Sequence, residues 1–141
     1  MERKLGAALI SAAVVMCGAC SDGFSAFAQD AAKRVPAKLT CGSHSSNPAQ
    51  NKAFQVDLQF DVTGSLWLLD WKTERAEVKF RGILSPSGTM LVAGLGKSDE
   101  GGTWTYEFSG HKNPTGIAVL KGSLQSEQPK GTRQCSLTFQ N

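Results

Sequence analysis

The sequence predicts an all-β domain in which eight antiparallel strands run up and down in chain order, roll into a barrel and are closed by one disulfide. Three observations predict it. Apolar residues recur at every second position from residue 37 onward, and no stretch of a dozen residues carries a helical stripe. Breaks bearing Gly or Pro interrupt that alternation at even spacing. Two cysteines, Cys41 and Cys135, stand near the two ends of the alternating region. A β-sandwich with the bridge between its sheets is the alternative arrangement.

Composition sets the start of the chain apart. Residues 1–28 have the layout of a secretory signal peptide, with Arg3 and Lys4 as the charged start and an apolar run from Leu5 to Cys20. Ala26-Phe27-Ala28 places small residues at the two positions a signal peptidase reads, so cleavage is expected after Ala28. The apolar run is too short and too early for a membrane-spanning helix. Cys17-Gly18-Ala19-Cys20 offers a second processing site, because small residues before a cysteine resemble the lipidation site of bacterial lipoproteins. Cys17 there occupies the place that normally holds an aliphatic residue. Residues 29–36 read as a flexible polar lead-in and 37–141 as one β-barrel domain. The expected location is periplasmic or secreted. Membrane contact is expected only if Cys20 is lipidated, which would make the protein lipid-anchored.

Export decides how the cysteines are read. Cys17 and Cys20 lie in the signal, leaving Cys41 and Cys135 as an even pair in an oxidising compartment, the signature of a disulfide. Closing so long a loop removes on the order of 4 to 5 kcal/mol of unfolded-state entropy in the chain-entropy model. That is a large share of the stability of a small domain.

The strands follow in order. The first, 37–43, puts Ala37, Leu39 and Cys41 on one face. The second, 53–62, is the clearest, with Phe54, Val56, Leu58, Phe60 and Val62 on one face and Gln55, Asp57, Gln59 and Asp61 on the other. The third, 65–71, turns Trp67, Leu69 and Trp71 inward and Leu66 and Leu68 outward. The fourth, 76–84, carries Ala76, Phe80 and Gly82 inward and Ile83 outward. The fifth covers 89–96, and the sixth, 103–108, presents Trp104, Tyr106 and Phe108. The seventh is 117–124, and the eighth, 132–139, has Cys135, Leu137 and Phe139 on its apolar side. Breaks at Thr63-Gly64 and in 85–88, 99–102, 113–116 and 129–131 separate them. Cys41 lies late in the first strand and Cys135 early in the last, both facing the apolar side, so a bridge joins two antiparallel neighbours and closes the ring.

Such a meander sorts its connections onto two rims. The first rim carries 44–52, 72–75, 97–102 and 125–131, and the second carries 63–64, 85–88 and 109–116. The longer loops mark the first rim as the mouth. An eight-stranded barrel is filled by its side chains or holds one small ligand. The ligand-holding reading assigns Trp67, Trp71, Trp104 and Tyr106 as the lining, with room left by Ala76 and Gly82. Gly102-Thr103-Trp104 resembles the Gly-x-Trp element of lipocalins and the similar element of avidins. In those families it lies on the first strand, whereas here it opens the sixth, so the resemblance implies a ligand-holding barrel architecture and nothing about ligand identity. On the outer surface Leu66, Leu68 and Ile83 form a candidate partner patch.

Other chemistries fail on geometry. The formal net charge is +3, with acids and bases interspersed rather than gathered into a basic stripe, which argues against a nucleic-acid partner. His44 and His111 belong to opposite rims, about 20 Å apart by the rise of a strand. Asp57 and Asp61 lie roughly 13 Å apart along one strand, too far to act on one bond. Asp99 and Glu100 lack the further oxygen ligands of a calcium loop. Residues 29–141 contain no histidine–cysteine metal spacing, no Gly-x-Ser-x-Gly elbow and no phosphate loop. No catalytic residue, metal or cofactor is therefore expected. The expectation is an exported, non-enzymatic binding protein of the bacterial periplasm or cell envelope that holds a small apolar or amphipathic ligand. An inhibitor of a protease or lysozyme is the alternative, acting through Ser109-Gly110-His111-Lys112 or Lys97-Ser98-Asp99-Glu100. An envelope structural protein using the Leu66, Leu68 and Ile83 patch is a third reading.

Overall fold

Alternation becomes structure strand by strand in the computed structural model, which describes residues 31–49, 51–116 and 118–140. The segment 1–28 read as an export signal, with Cys17 and Cys20, lies outside the described residues. The strands are β1 (Lys33–Cys41), β2 (Phe54–Thr63), β3 (Leu66–Lys72), β4 (Ala76–Leu84), β5 (Thr89–Ser98), β6 (Thr103–His111), β7 (Ala118–Glu127) and β8 (Lys130–Phe139). Each pairs antiparallel with the next, and β8 pairs with β1, so the sheet is a closed up-and-down barrel rather than a sandwich.

Closure occurs where the cysteines require it. Cys41 and Cys135 are direct partners in the β1–β8 ladder, and their disulfide spans a sequence separation of 94 with a Cα–Cα distance of 4.1 Å. Outside, the polar face of β2 is matched to β1: Lys38 lies 3.8 Å from Asp57 and Arg34 lies 3.6 Å from Asp61. These exposed pairs add at most about 1 kcal/mol each, but they give Asp57 and Asp61 separate partners.

Strand ends depart from expectation for local reasons. β1 begins at Lys33, inside the expected lead-in, because buried Val35 continues the inward row of Ala37, Leu39 and Cys41. Pro36 is tolerated because its carbonyl, which accepts from Gln140 N at 3.0 Å, faces the β8 side where that ladder ends, so its missing N–H costs no bond to β2. β7 and β8 extend to Glu127 and Lys130, leaving only Gln128-Pro129 between them where a loop over 125–131 was expected. Gly131 is needed there for close approach: a Cβ at this position would run into the His44 ring.

The two ends of the barrel are packed differently. Towards the second rim Trp67 meets Phe139 at 4.7 Å between ring centroids, Phe60 meets Phe139 at 5.1 Å, and Val35, Met90 and Leu120 complete a buried plug. Gly82, expected to leave room, is already filled around, since a Cβ there would lie 2.9 Å from Val92 Cγ2 and 3.1 Å from Trp67 Cβ. Towards the first rim Phe54, Val56, Trp71 and Trp104 are only partly buried. The barrel is therefore a cup, stoppered at one end and open at the other.

Candidate functional site

The first-rim end encloses a cleft of about 360 Å³. Its apolar wall is Leu39, Phe54, Val56, Trp71, Ala76, Trp104 and Leu124, and its polar lip is His44, Asn51, Ser126, Gln128 and Arg133, with Tyr106 between them. That size and mixture suit a small ligand held by apolar walls and oriented by a few polar groups.

One side of the cleft is the connection from β1 to β2, residues 42–53, whose described residues form no strand and are held by two side chains. Arg133 Nη1 donates to the carbonyls of Gly42 (2.8 Å), Asn51 (3.2 Å) and Lys52 (2.8 Å), and the guanidinium sits 5.3 Å from the centre of the Phe54 ring. His44 is the second holder and is only 4% exposed. Its proton can be placed by accounting. Ser126 Oγ lies 2.6 Å from the Pro129 carbonyl, which can only accept, so the hydroxyl donates there and must accept from His44 Nε2–H at 2.7 Å. Nδ1 then accepts from Ser46 N (3.2 Å) and Ser46 Oγ (2.7 Å). For Ser126 this is the reverse of a nucleophile–base pair, in which the imidazole would accept the serine proton. The pair latches the connection to β7.

Trp104 owes its position to Gly96, its partner in the β5–β6 ladder. A Cβ at residue 96 would fall on the indole at Cε2 and Nε1 and 2.5 Å from Cζ2, so only glycine lets the ring lie flat against β5. Trp104 Nε1 is buried without a hydrogen-bond partner of good geometry. Tyr106 packs at a tilt against Phe80, 5.0 Å between ring centroids. Burial pushes its hydroxyl above the ordinary tyrosine range, while the Trp104 side chain and the Arg133 charge pull it partly back.

The structure brings together three of the four expected lining residues. Trp71, Trp104 and Tyr106 share the cleft, whereas Trp67 belongs to the plug at the other end. Ser126 and Arg133 escaped the sequence reading, and His44, placed on the first rim, was weighed there only for catalysis and not as part of the cleft. For Arg133 a signal existed: it shares parity with Cys135, Leu137 and Phe139, so a charge stands on an apolar face. For His44 none did, because it follows the end of β1 where alternation stops.

On the outer surface Leu66 and Ile83 are direct partners, 50% and 51% exposed, and Leu68 lies opposite Arg81 on the next row. Leu91, the partner of Ile83, extends the patch onto β5. An open trough of about 790 Å³, larger than the rim cleft, takes Leu66, Ile83 and Leu91 into its lining together with small residues such as Ala93 and Gly122 and the polar side chains of Arg81, Glu107, Ser109, Lys121 and Ser123. Of the two rim segments considered for inhibition, Ser109, Gly110 and His111 lie inside β6, paired with Leu91, Met90 and Thr89. Lys97 and Ser98 lie inside β5, and the turn after them is tied by Ser98 N to the Gly102 carbonyl at 2.8 Å. Among the described residues no three His, Cys, Asp or Glu side chains converge as a metal-ligand set. Compared with family models, curated proteins and solved structures, the chain matches none of them.

Proposed function

We propose that this chain is an exported, non-enzymatic binding protein of the bacterial periplasm or cell envelope that holds a small amphipathic ligand in the first-rim cleft. The observation that carries the reading is the asymmetry of the barrel: a plug of Phe60, Trp67 and Phe139 at one end, and a cleft lined by Trp71, Trp104 and Tyr106 at the other. A barrel with no ligand to hold would gain by filling both ends, since each apolar Å² withdrawn from water contributes about 25 cal/mol. Two features support binding over catalysis. The His44–Ser126 contact in the cleft wall has its protons arranged as a latch, Ser46 on the other ring nitrogen is not among the cleft's lining residues, and the connection between β1 and β2 is tied down in advance, which lowers the ordering cost of binding. The export part of the reading rests on the composition of residues 1–28.

Titration with the uncharged dye Nile red tests it. Dye emission should rise and tryptophan fluorescence fall on mixing, and Trp71→Glu should weaken both. Leu91→Glu, on the outer patch, should leave them unchanged. If Leu91→Glu abolishes the response and Trp71→Glu does not, the dye sits outside the barrel and the cleft reading is wrong.

A further inference from the structure

The polar lip of the cleft is electrically one-sided. Arg133 is the single charged residue among its described lining residues, and no carboxylate accompanies it. On the exposed outer face Arg34, Lys38, Lys79 and Arg81 each pair with an acid, Arg81 with Asp70 at 2.7 Å, whereas among the described residues the partly buried Arg133, like most of the other cations, makes no ion pair. A partly buried guanidinium without a counter-ion has given up hydration and gained carbonyl dipoles and the face of Phe54 in return, with no opposite charge.

Its donors are unevenly used. The three carbonyl bonds all leave from Nη1, while Nε–H and the Nη2–H groups make no hydrogen bond to the described residues. Nε and Nη2 form the side-on fork of an arginine, whose parallel N–H bonds match the two oxygens of a carboxylate. Arg133 also acts electrostatically on the Tyr106 hydroxyl, so its field reaches into the cleft rather than only along the rim.

Building on the reading that the cleft holds an amphipathic ligand, we propose that the ligand is a carboxylate-headed amphiphile. Its carboxylate sits on the Nε/Nη2 edge of Arg133 near the Tyr106 hydroxyl, and its short alkyl chain lies against Trp71, Trp104 and Leu124. A positively charged head would meet Arg133 with no acid to offset the repulsion. An uncharged head would leave the fork empty.

Three probes with the same chain separate the possibilities: decanoate, decanol and decyltrimethylammonium, titrated by calorimetry and tryptophan fluorescence against the disulfide-bonded protein. Decanoate should bind about tenfold or more tighter than decanol, the size expected of a charge-assisted bond, and decyltrimethylammonium weakest. The preference should shrink as salt is raised. Arg133→Gln should bring decanoate to the level of decanol, and Arg133→Lys, which keeps the charge without the fork, should keep part of the preference. Equal binding of decanoate and decanol by the unsubstituted protein would overturn the carboxylate assignment and leave the binding cleft standing. Failure of all three probes to bind would overturn both.

Discussion

Gly96→Ala places a single methyl group where the Trp104 indole now lies. Ordinary carbon contacts fall at 3.4–4 Å, whereas the new Cβ would stand 2.5 Å from Cζ2 and nearer still to Cε2 and Nε1. The ring is rigid, so it must move by roughly 1 Å or more, and the open side is the cleft. Swinging out uncovers roughly half of the 150–250 Å² that a tryptophan buries, about 100 Å², or about 2.5 kcal/mol at the usual apolar coefficient. Two terms offset this. The orphan Nε1–H reaches water, recovering about 1 kcal/mol, and alanine restricts the unfolded chain, worth about 0.5 kcal/mol. The net loss is about 1 kcal/mol, a fall in melting temperature of about 5 °C for a domain of this size. Thermal unfolding followed by tryptophan emission measures it, and the same samples titrated with decanoate should show weaker binding, since the displaced indole occupies cleft volume. Gly101→Ala is the comparison: at φ 87° with nothing within 4 Å, it should lose about 1 kcal/mol through left-handed backbone strain alone while leaving emission and binding untouched. If Gly96→Ala matches the unsubstituted protein in melting, emission and binding, the account of Trp104 is wrong.

Other consequences are open to measurement. Replacing Cys41 and Cys135 together by Ala should cost about 4 to 5 kcal/mol in a urea titration, from the 94-residue separation they close; a loss under about 1 kcal/mol would show that the β1–β8 ladder holds the ring without them. Ser126→Ala strands His44 Nε2–H and should cost about 1–3 kcal/mol, with faster amide exchange confined to residues 42–53; unchanged exchange there would remove the latch from the account. Tyr106 is the only tyrosine of the chain, so absorbance in an alkaline titration reports it alone, and its midpoint should lie above 10.0. Because the folded value is raised, its contribution to stability is complete below the unfolded tyrosine value and is lost as pH climbs through the folded one; a midpoint at or below 10.0 would contradict the burial of the hydroxyl.

Strand number, order and faces were legible in the residues. The row Phe54, Val56, Leu58, Phe60, Val62 carries its own period, and a slip by one position would turn every member to water. Cys41 and Cys135 pointed to closure, because parity and position let them meet across the first and last strands of a ring, although a bridge between the two sheets of a sandwich would also have joined them. Part of the site was legible too, and one error was avoidable. The rise per residue that separates Asp57 from Asp61 also separates Trp67 from Trp71, so two tryptophans four apart on one strand could not line one small cleft.

What the sequence determined by itself is whatever rests on local periodicity: which side chains enter the barrel and where the chain turns. Tertiary structure decided how far along the axis each side chain sits, and therefore which end is plugged and which is open, because strand tilt and stagger set those heights collectively. It also decided what the glycines and the loop are for. Gly96 beneath Trp104, Gly131 beneath His44, and Arg133 tied to the carbonyls of Gly42, Asn51 and Lys52 join residues far apart in the chain or on neighbouring strands, and no period in the sequence encodes such contacts.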